Sequence, residues 1–275
     1  MKDVKVTYVP RVQFLNFHKR KQRWACIVFH RRGGKTVACV NELHTRALFT
    51  QKKNARYAYI APFYRQAKDV AWMYLKDATK DSAVKIKESE LSVELFNGAK
   101  ISLYGADNPN ALRGLYLDGV VLDEYGDCRP SIWSEVILPT LADRTGWAVF
   151  IGTARGKNHF WEIREMARSK PAEWYFLEVK ASESGIIPEK ELAMQRSNQT
   201  QEEYDREYEC SFEAPVEGTY YAKYIQLMEK GHIEYPDKPP QITTVKYDPD
   251  FKVHVAQDLG YVDSSALWFW QQRPG

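Results

Sequence analysis

The sequence predicts an α/β fold with a mostly parallel β-sheet, because short apolar runs alternate along the chain with amphipathic helical stretches. The apolar runs lie at 24–29, 56–61, 119–122, 147–151 and 174–179. Continuous apolar runs of this length are typical of strands that are covered on both faces. The predicted helices between them lie at 36–48, 64–78, 131–141 and 157–168.

A pair of glycines separates the first predicted strand from the first long helix. The run over 24–29 ends shortly before Gly33 and Gly34, and apolar residues such as Val40 and Leu43 then recur at helical spacing. Farther along, Asn97-Gly98 lies between apolar stretches at 91–96 and 100–103. That dipeptide is the strongest short-range signal for a β-hairpin.

The pattern changes after the last of these strands. Residues 188–210 are charged and helical, residues 213–240 are typical of a connector, and two further strands are predicted at 253–258 and 265–270. Two strands do not make a domain, so we expect the chain to stop just inside a second one. The predicted organisation is a first domain over 1–212, a linker over 213–245 and the first strands of another domain over 246–275.

Composition excludes several classes of protein. The chain of 275 residues is 44% hydrophobic and 27% charged, which is unlike a disordered or collagen-like protein. Its four cysteines are far apart and form no C-x-x-C pair, which excludes a compact zinc ribbon and argues against a disulfide framework. There is no run of about 18 apolar residues of the kind that spans a bilayer.

The strongest chemical signal is a glycine-rich loop between the first strand and the helix after it. The segment from Phe29 to Thr36 reads Phe-His-Arg-Arg-Gly-Gly-Lys-Thr and fits the end of the Walker A pattern G-x-x-x-x-G-K-[ST], with Phe29 at the place of the first glycine. Such loops curl backbone N–H groups around a phosphate at the N-terminus of a helix. We expect Lys35 to reach the β- and γ-phosphates and Thr36 to bind Mg²⁺. Residues 11–35 carry eight Lys and Arg side chains and no carboxylate, a charge distribution that suits a ligand with phosphate groups. The alternative is a basic face that only contacts solvent.

Two further segments complete the predicted site. Val120-Val121-Leu122 runs into Asp123 and Glu124, which would lie at the carboxyl edge of the sheet beside the loop. Asp123 is a candidate Mg²⁺ ligand and Glu124 a candidate base for the attacking water. A third strand runs into small residues that are candidates for sensing the γ-phosphate: Gly152, Thr153 and Ala154.

Together these segments resemble the large terminase subunits of tailed bacteriophages, the motors that package viral DNA. The resemblance rests on the loop, the acid pair and segments that occur in the family's order: Pro10 to Gln13, Tyr59 to Ala67, Leu112 to Gly114, Glu124-Tyr125 and Gly152 to Gly156. It implies an ATPase domain of the additional-strand (ASCE), RecA-like class of P-loop NTPases, followed by an RNase H-like nuclease. It further implies ATP and Mg²⁺ as cofactors and double-stranded DNA, a portal protein and a small terminase subunit as partners. A homo-oligomeric ring in the host cytoplasm, without membrane association, is expected.

Matching to the family assigns individual roles. Gln13 looks like an adenine-reading glutamine, since its amide can both donate and accept, although a surface glutamine would fit the sequence as well. Arg113 lies where some members place an arginine finger for the neighbouring subunit, and a structural arginine bonded to nearby carbonyls or Asp118 is the equal alternative. Arg32 is the competing candidate for a sensor in cis, and the neighbouring Arg31, Gly33 and Gly34 would contribute to the phosphate cradle.

The resemblance also implies a nuclease metal ligand. Asp258-Leu259-Gly260, with Asp263, looks like the first metal-binding strand of the nuclease. One certain carboxylate does not hold two Mg²⁺ ions, so we expect no nuclease activity from this chain although the full-length family cuts DNA.

Two other function classes remain open at this point. A superfamily 2 helicase core has an upstream glutamine, a phosphate loop, an Asp-Glu pair and a small-residue motif in the same order. It also needs a second RecA-like domain, for which the residues after Val179 show no pattern. A non-catalytic nucleotide- or DNA-binding scaffold is the other alternative, although Lys35, Thr36, Asp123 and Glu124 are all present.

Overall fold

The computed structural model of the chain describes residues 7–213, 247–258 and 266–272, together with positions 227, 228, 231, 237 and 240. Its internal contacts divide the chain into two compact units, Met1–Glu217 and Gly218–Gly275.

The first unit is organised around one β-sheet of eight strands in the described residues. The strands are β1 (Trp24–Phe29), β2 (Arg56–Ala61), β3 (Ala83–Lys87), β4 (Ser92–Leu95), β5 (Lys100–Gly105), β6 (Gly119–Leu122), β7 (Trp147–Gly152) and β8 (Trp174–Val179). Their order across the sheet is β3-β4-β5-β2-β6-β7-β1-β8. All neighbours from β5 to β8 pair in parallel, whereas β4 is antiparallel to both β3 and β5.

Helices connect and cover these strands. They are α1 (Leu15–Lys19), α2 (Lys35–Leu48), α3 (Tyr64–Thr79), α4 (Pro109–Leu112), α5 (Leu138–Thr140), α6 (His159–Ser169), α7 (Ala181–Ser184), α8 (Glu189–Asn198) and α9 (Gln201–Glu207). None of the helices in the described part of the chain is long and apolar enough to cross a membrane.

The position of β7 defines the class of the fold. β7 pairs with β6 on one side and with β1 on the other, so it separates the strand that ends in the acid pair from the strand that leads into the glycine loop. A strand inserted at that place is the defining feature of the additional-strand class. The prediction of an α/β, RecA-like fold with a mostly parallel sheet is therefore confirmed.

Alternate residues of the central strands enter two separate hydrophobic clusters. Ile27 packs in a cluster with side chains of α2 and α3, whereas its neighbour Val28 packs in a cluster with side chains of α6. Side chains of a strand point alternately to its two faces, so the sheet has a helical layer on each side. This sandwich fixes the carboxyl ends of β1, β6 and β7 at one edge.

The structure corrects three predictions of local structure. β3 was not predicted, because its pattern is mostly exposed and includes two lysines. The predicted helix over 131–141 is a π-helical turn, Ile132–Ile137, followed by the short α5. Pro139 lacks an N–H group to donate to the carbonyl four residues earlier, which interrupts the regular α pattern there. The helical stretch over 188–210 is divided into α8 and α9, and Thr200 forms a capping box at the start of α9.

The predicted hairpin is present, since β4 and β5 are antiparallel neighbours on either side of Asn97-Gly98. In the second unit, β9 (Val253–Asp258) and β10 (Ala266–Gln271) form an antiparallel pair. The Gln271 amide nitrogen donates to the carbonyls of Asp248 at 2.6 Å and Phe251 at 2.7 Å, which fixes the segment before β9 to the end of β10.

Candidate functional site

The carboxyl edge of the sheet opens into a cavity of about 420 Å³. Loops after β1, β6 and β7 form most of its wall, and α3 and α9 complete it. The lining residues are Arg31, Thr36, Gln66, Val70, Asp123, Glu124, Gly126, Asp127, Thr153, Ala154, Arg155, Arg206 and Glu207. The three segments that the sequence singled out therefore meet at one place.

Two glycines allow the loop after β1 to close tightly. A Cβ atom on Gly33 would lie 2.2 Å from the Phe29 ring, and Gly34 adopts a left-handed φ of 95°. Only glycine accepts such a backbone without strain. The Arg11 guanidinium donates to the Gly33 carbonyl at 2.8 Å and holds the loop from outside.

Lys35 begins α2 and is buried. Its Nζ donates to the carbonyl of Phe29 at 2.8 Å and to that of His30 at 3.4 Å. The ammonium group is therefore bonded to carbonyls at the start of the loop, and Lys35 is not itself among the residues that line the cavity.

Tyr59 lies beside the predicted metal ligand Asp123. Its phenol donates to Asp123 Oδ2 at 2.5 Å, and burial raises the pKa of that phenol well above its usual value. Burial and the neighbouring Glu124 raise the pKa of Asp123 to about 6. The Thr36 hydroxyl and the Asp123 carboxylate at one cavity wall fit Mg²⁺, which prefers oxygen ligands and keeps several waters.

Glu124 follows in a left-handed conformation with a φ of 41°. This conformation, unusual for a residue other than glycine, turns its carboxylate toward the end of β7. There Oε2 accepts from the Thr153 amide at 3.2 Å and is 3.5 Å from the Thr153 hydroxyl. A Cβ atom on Gly152 would lie 3.4 Å from the same Oε2, an ordinary contact, and 3.1 Å from the Phe160 ring, which is the tighter of the two.

Two pairs of opposite charge lie on the cavity wall. Arg155 pairs with Asp127, and Arg31 pairs with Glu207 at 3.3 Å. The Arg31 backbone N–H also donates to the Glu207 carbonyl at 2.8 Å, which fixes the glycine loop to the end of α9. Asp127, Arg155 and the α9 residues are not among the site residues predicted from the sequence. For Arg155 its place directly after the small-residue segment was an available signal, whereas nothing in the sequence of α9 pointed to the site.

The predicted adenine reader and two predicted arginines are not on the cavity wall among the residues that the structure describes. Arg32 is exposed at the tip of the loop with a φ of 64°, and Arg113 is exposed just after α4. The Gln13 side-chain amide donates to the Ser184 carbonyl at 2.8 Å. Asp118, the structural partner suggested for Arg113, bonds to Arg144 instead.

The nuclease prediction falls mostly outside the described residues. Asp258 is the last residue of β9, and Leu259, Gly260 and Asp263 lie outside the described part of the chain. Within that part there is no cluster of three or more His, Cys, Asp or Glu side chains that could hold a metal ion.

Comparisons with known proteins agree with the fold and with one another. The family model "Terminase large subunit, T4likevirus-type, N-terminal" matches residues 26–224. The large terminase subunits of Thermus phage G20c and Thermus virus P23-45 are each 53% identical over 58 residues, which is 21% of this chain and 12% of each relative. The matched segment thus spans about an eighth of the length of those curated relatives.

Solved structures share the fold at low sequence identity. The large terminase ATPase domain of Thermus phage P74-26 superimposes with a TM-score of 0.67 at 23% identity, over 75% of this chain and 95% of that one. The large terminase of a thermophilic bacteriophage superimposes with a TM-score of 0.61 at 15% identity, over 93% of this chain and 61% of that one. With the family model matched over most of its length, the chain belongs to the terminase large subunit family.

Proposed function

We propose that the first unit binds ATP with Mg²⁺ in the cavity and hydrolyses it, and that this hydrolysis drives double-stranded DNA into a viral procapsid. The observation that carries the proposal is that Thr36, Asp123 and Glu124 line one cavity, where the buried Tyr59 phenol donates to Asp123. This arrangement places the end of the glycine loop and the acid pair at one site, although the inserted strand separates their strands. A phosphate-binding loop and a water-activating acid on one cavity are the parts that phosphoryl transfer needs.

The glycine loop and α2 supply the binding site for the phosphates. α2 is 14 residues long, and its first backbone N–H groups face the loop with the positive end of the helix dipole. Lys35 adds a buried positive charge at the same place. Neutralising several phosphate charges in this way lets the triphosphate leave water at low cost.

Thr36 and Asp123 would hold Mg²⁺, which when bound shields the phosphate oxygens and supports the developing charge. Tyr59 is fully buried, and its hydroxyl donates to Asp123, which favours the ionised carboxylate that a metal requires.

Glu124 is positioned to orient the attacking water and accept its proton. Its second contact, with the amide of Thr153, links that acid to the end of β7. Loss of the terminal phosphate would therefore change the position of Gly152, Thr153 and Ala154. Through these residues it would also move α6. We propose this segment as the coupling element of the motor.

The further roles follow from the family and are part of the same proposal. The large terminase of the thermophilic bacteriophage has been solved with ADP and with ATP-γ-S, ligands of the class proposed here. We propose that copies of this chain act as a ring with a portal protein and a small terminase subunit in the host cytoplasm, and that Arg113 serves a neighbouring subunit. We also propose that residues 1–212 form the ATPase domain, 213–245 a linker and 246–275 the start of the nuclease, with Asp258 as a metal ligand.

Phosphate release from ATP by the parent chain and two variants tests the hydrolysis. Lys35→Ala should lose nucleotide binding, because it removes the buried charge at the loop. Glu124→Gln should bind ATP as tightly as the parent but release phosphate roughly a hundredfold more slowly, since proton acceptance is lost. Lys190→Ala, which removes an exposed lysine of α8, serves as the matched control and should behave as the parent.

The same measurements separate the alternatives. ATP bound by the parent without any turnover would favour a nucleotide-binding scaffold. Unwinding of duplex DNA coupled to turnover would favour a helicase. Unchanged affinity in Lys35→Ala would overturn the assignment of the loop itself.

A further inference from the structure

The loops after β6 and β7 are joined by a ladder of side-chain contacts. Besides the Glu124–Thr153 contact, Asn158 donates to the Gly126 carbonyl at 3.2 Å, and His159 is 2.8 Å from the Tyr125 carbonyl. The fourth contact is the ion pair between Arg155 and Asp127. The two loops therefore move together, or one of these contacts must break.

Two of the four contacts lie on the cavity wall. They are the Glu124–Thr153 contact and the Arg155–Asp127 pair. Asp127 is one turn beyond Glu124, and its N–H donates to the Glu124 carbonyl at 2.8 Å. In the function proposed above, on which this inference rests, Glu124 faces the water that attacks the terminal phosphate. The Arg155–Asp127 pair therefore lies toward the terminal-phosphate end of the cavity.

A carboxylate at that place opposes the binding of a polyphosphate, because like charges at close range repel. Asp127 is tolerated on the wall because Arg155 neutralises it. The Arg155 side chain is 55% exposed, so a change of partner would not require the core to repack. A phosphate group offers three oxygens and more charge than a carboxylate, and it suits the planar donors of an arginine.

We propose that Arg155 is a phosphate-binding residue that the terminal phosphate of ATP takes over from Asp127. Transfer of the guanidinium breaks one contact of the ladder when ATP is bound and restores it when the phosphate leaves. Arg155 thus distinguishes bound ATP from bound ADP within one subunit. It directly follows the segment that we propose as the coupling element. Among the described residues, Arg32 and Arg113 do not line this wall, whereas Arg31 and Arg206 do, and Arg31 is paired with Glu207 of α9.

Isothermal titration calorimetry of the full chain with Mg²⁺ and either a non-hydrolysable ATP analogue or ADP tests this role. Arg155→Gln should lower the affinity for the analogue about tenfold or more, because a charge-assisted contact is lost. It should lower the affinity for ADP by less than about threefold. Asp127→Asn should raise the affinity for the analogue and leave the affinity for ADP nearly unchanged, because it removes the acid that competes for Arg155. Arg168→Gln, which removes a half-exposed arginine of α6, is the charge-matched control.

Equal weakening of both nucleotides by Arg155→Gln, or no weakening, would overturn the proposal. Weaker binding of the analogue by Asp127→Asn would contradict the proposed competition between Asp127 and the phosphate for Arg155. If Arg155→Gln fails to fold, the affinities of Asp127→Asn test the proposal instead. Lys35→Ala separates this failure from failure of the proposed function. If Lys35→Ala weakens the binding of both nucleotides while Arg155→Gln changes the two affinities equally or not at all, the cavity binds nucleotide and only the role of Arg155 is wrong.

Discussion

Two buried acids of the first unit show how contacts decide the charge of a residue. Burial alone would raise the pKa of Glu42, but hydrogen bonds and charges from His18, Arg20 and Arg46 outweigh it and hold that pKa at about 2. Asp123 is buried without a full set of cations, and its pKa is raised. The first acid is part of a satisfied structural cluster, whereas the second is poised to gain a cation, as is typical of a functional site.

His44 provides a test of burial at the level of one residue. Its Nε2 is hydrogen-bonded to Ser82 Oγ at 2.8 Å, and the same hydroxyl lies 3.2 Å from the Thr79 carbonyl. Its Nδ1 is buried without a hydrogen-bond partner among the described residues. Burial lowers the pKa of His44 to about 4, because the charged form has no partner there.

The expected consequence is a loss of stability in acid. The unfolded chain binds a proton at this histidine near pH 6.5, the folded chain only near pH 4, so stability falls as pH decreases between these values. Between pH 7 and 4.5 the parent should lose about 2 kcal/mol more of its free energy of unfolding than His44→Gln does. Urea unfolding at both pH values measures this difference. Ser82→Ala keeps the histidine and should keep the parent's sensitivity, and equal losses in parent and His44→Gln would contradict the assignment.

At the scale of the element, the unit of β1, its loop and α2 depends on one contact between a ring and a glycine. Phe29 is fully buried and stacks on Phe14 with ring centroids 5.1 Å apart. Gly33 packs directly against that ring. The phenylalanine at the usual place of the first loop glycine therefore makes the glycine at position 33 indispensable.

Gly33→Ala should distort this unit. The added Cβ would lie 2.2 Å from the Phe29 ring, which is fully buried and stacked on Phe14, so the ring or the loop must shift. We expect a stability loss of about 1–3 kcal/mol, as for other overpacked sites, and weaker ATP binding. Gly98→Ala is the control for backbone strain without a clash, because a Cβ there meets nothing within 4 Å although the residue has a left-handed φ of 79°, so this variant should lose some stability and keep its ATP affinity. Thermal unfolding and nucleotide titration of both variants compare them, and full ATP affinity in Gly33→Ala would show that the loop tolerates the shift.

Elements with local signals were predictable from the sequence, and those shaped by neighbours were not. The hairpin at Asn97-Gly98 follows from turn chemistry, and β1 and β6 follow from continuous apolar runs. β3 was not predicted because an exposed edge strand needs few apolar residues. The π-helical turn at Ile132–Ile137 lies just before Pro139, and the helix predicted over 131–141 ignored that proline.

The candidate site divides in the same way. Lys35, Thr36, Asp123 and Glu124 are recognisable because spacing along strand and helix forces them to one sheet edge. The α9 residues on the cavity wall come from a distant part of the chain and are placed by tertiary packing alone. Arg155 had a sequence position but no partner until the fold brought Asp127 beside it.

At the scale of the whole molecule, the first unit holds everything that the proposed site needs. Its two larger hydrophobic clusters lie between Phe14 and Phe212. A third, smaller cluster packs α8 and α9 together through Leu192, Tyr204 and Tyr208. Every residue on the cavity wall precedes Glu213. The unit has a core of its own and is large enough to be stable without a partner domain.

A chain ending at Glu217 should therefore fold and bind nucleotide by itself. Because no core residue of the first unit among those described is removed, we expect its melting temperature to stay within about 3 °C of the parent's and its ATP affinity within about twofold. A second truncation, ending at Asn198, removes α9 and with it Tyr204 from the third cluster and Glu207 from the contact with the glycine loop. That chain should lose both stability and nucleotide affinity. Circular dichroism and calorimetric titration distinguish the two truncations. Unfolding of the longer one would mean that residues after Glu217 belong to the same cooperative unit as the sheet.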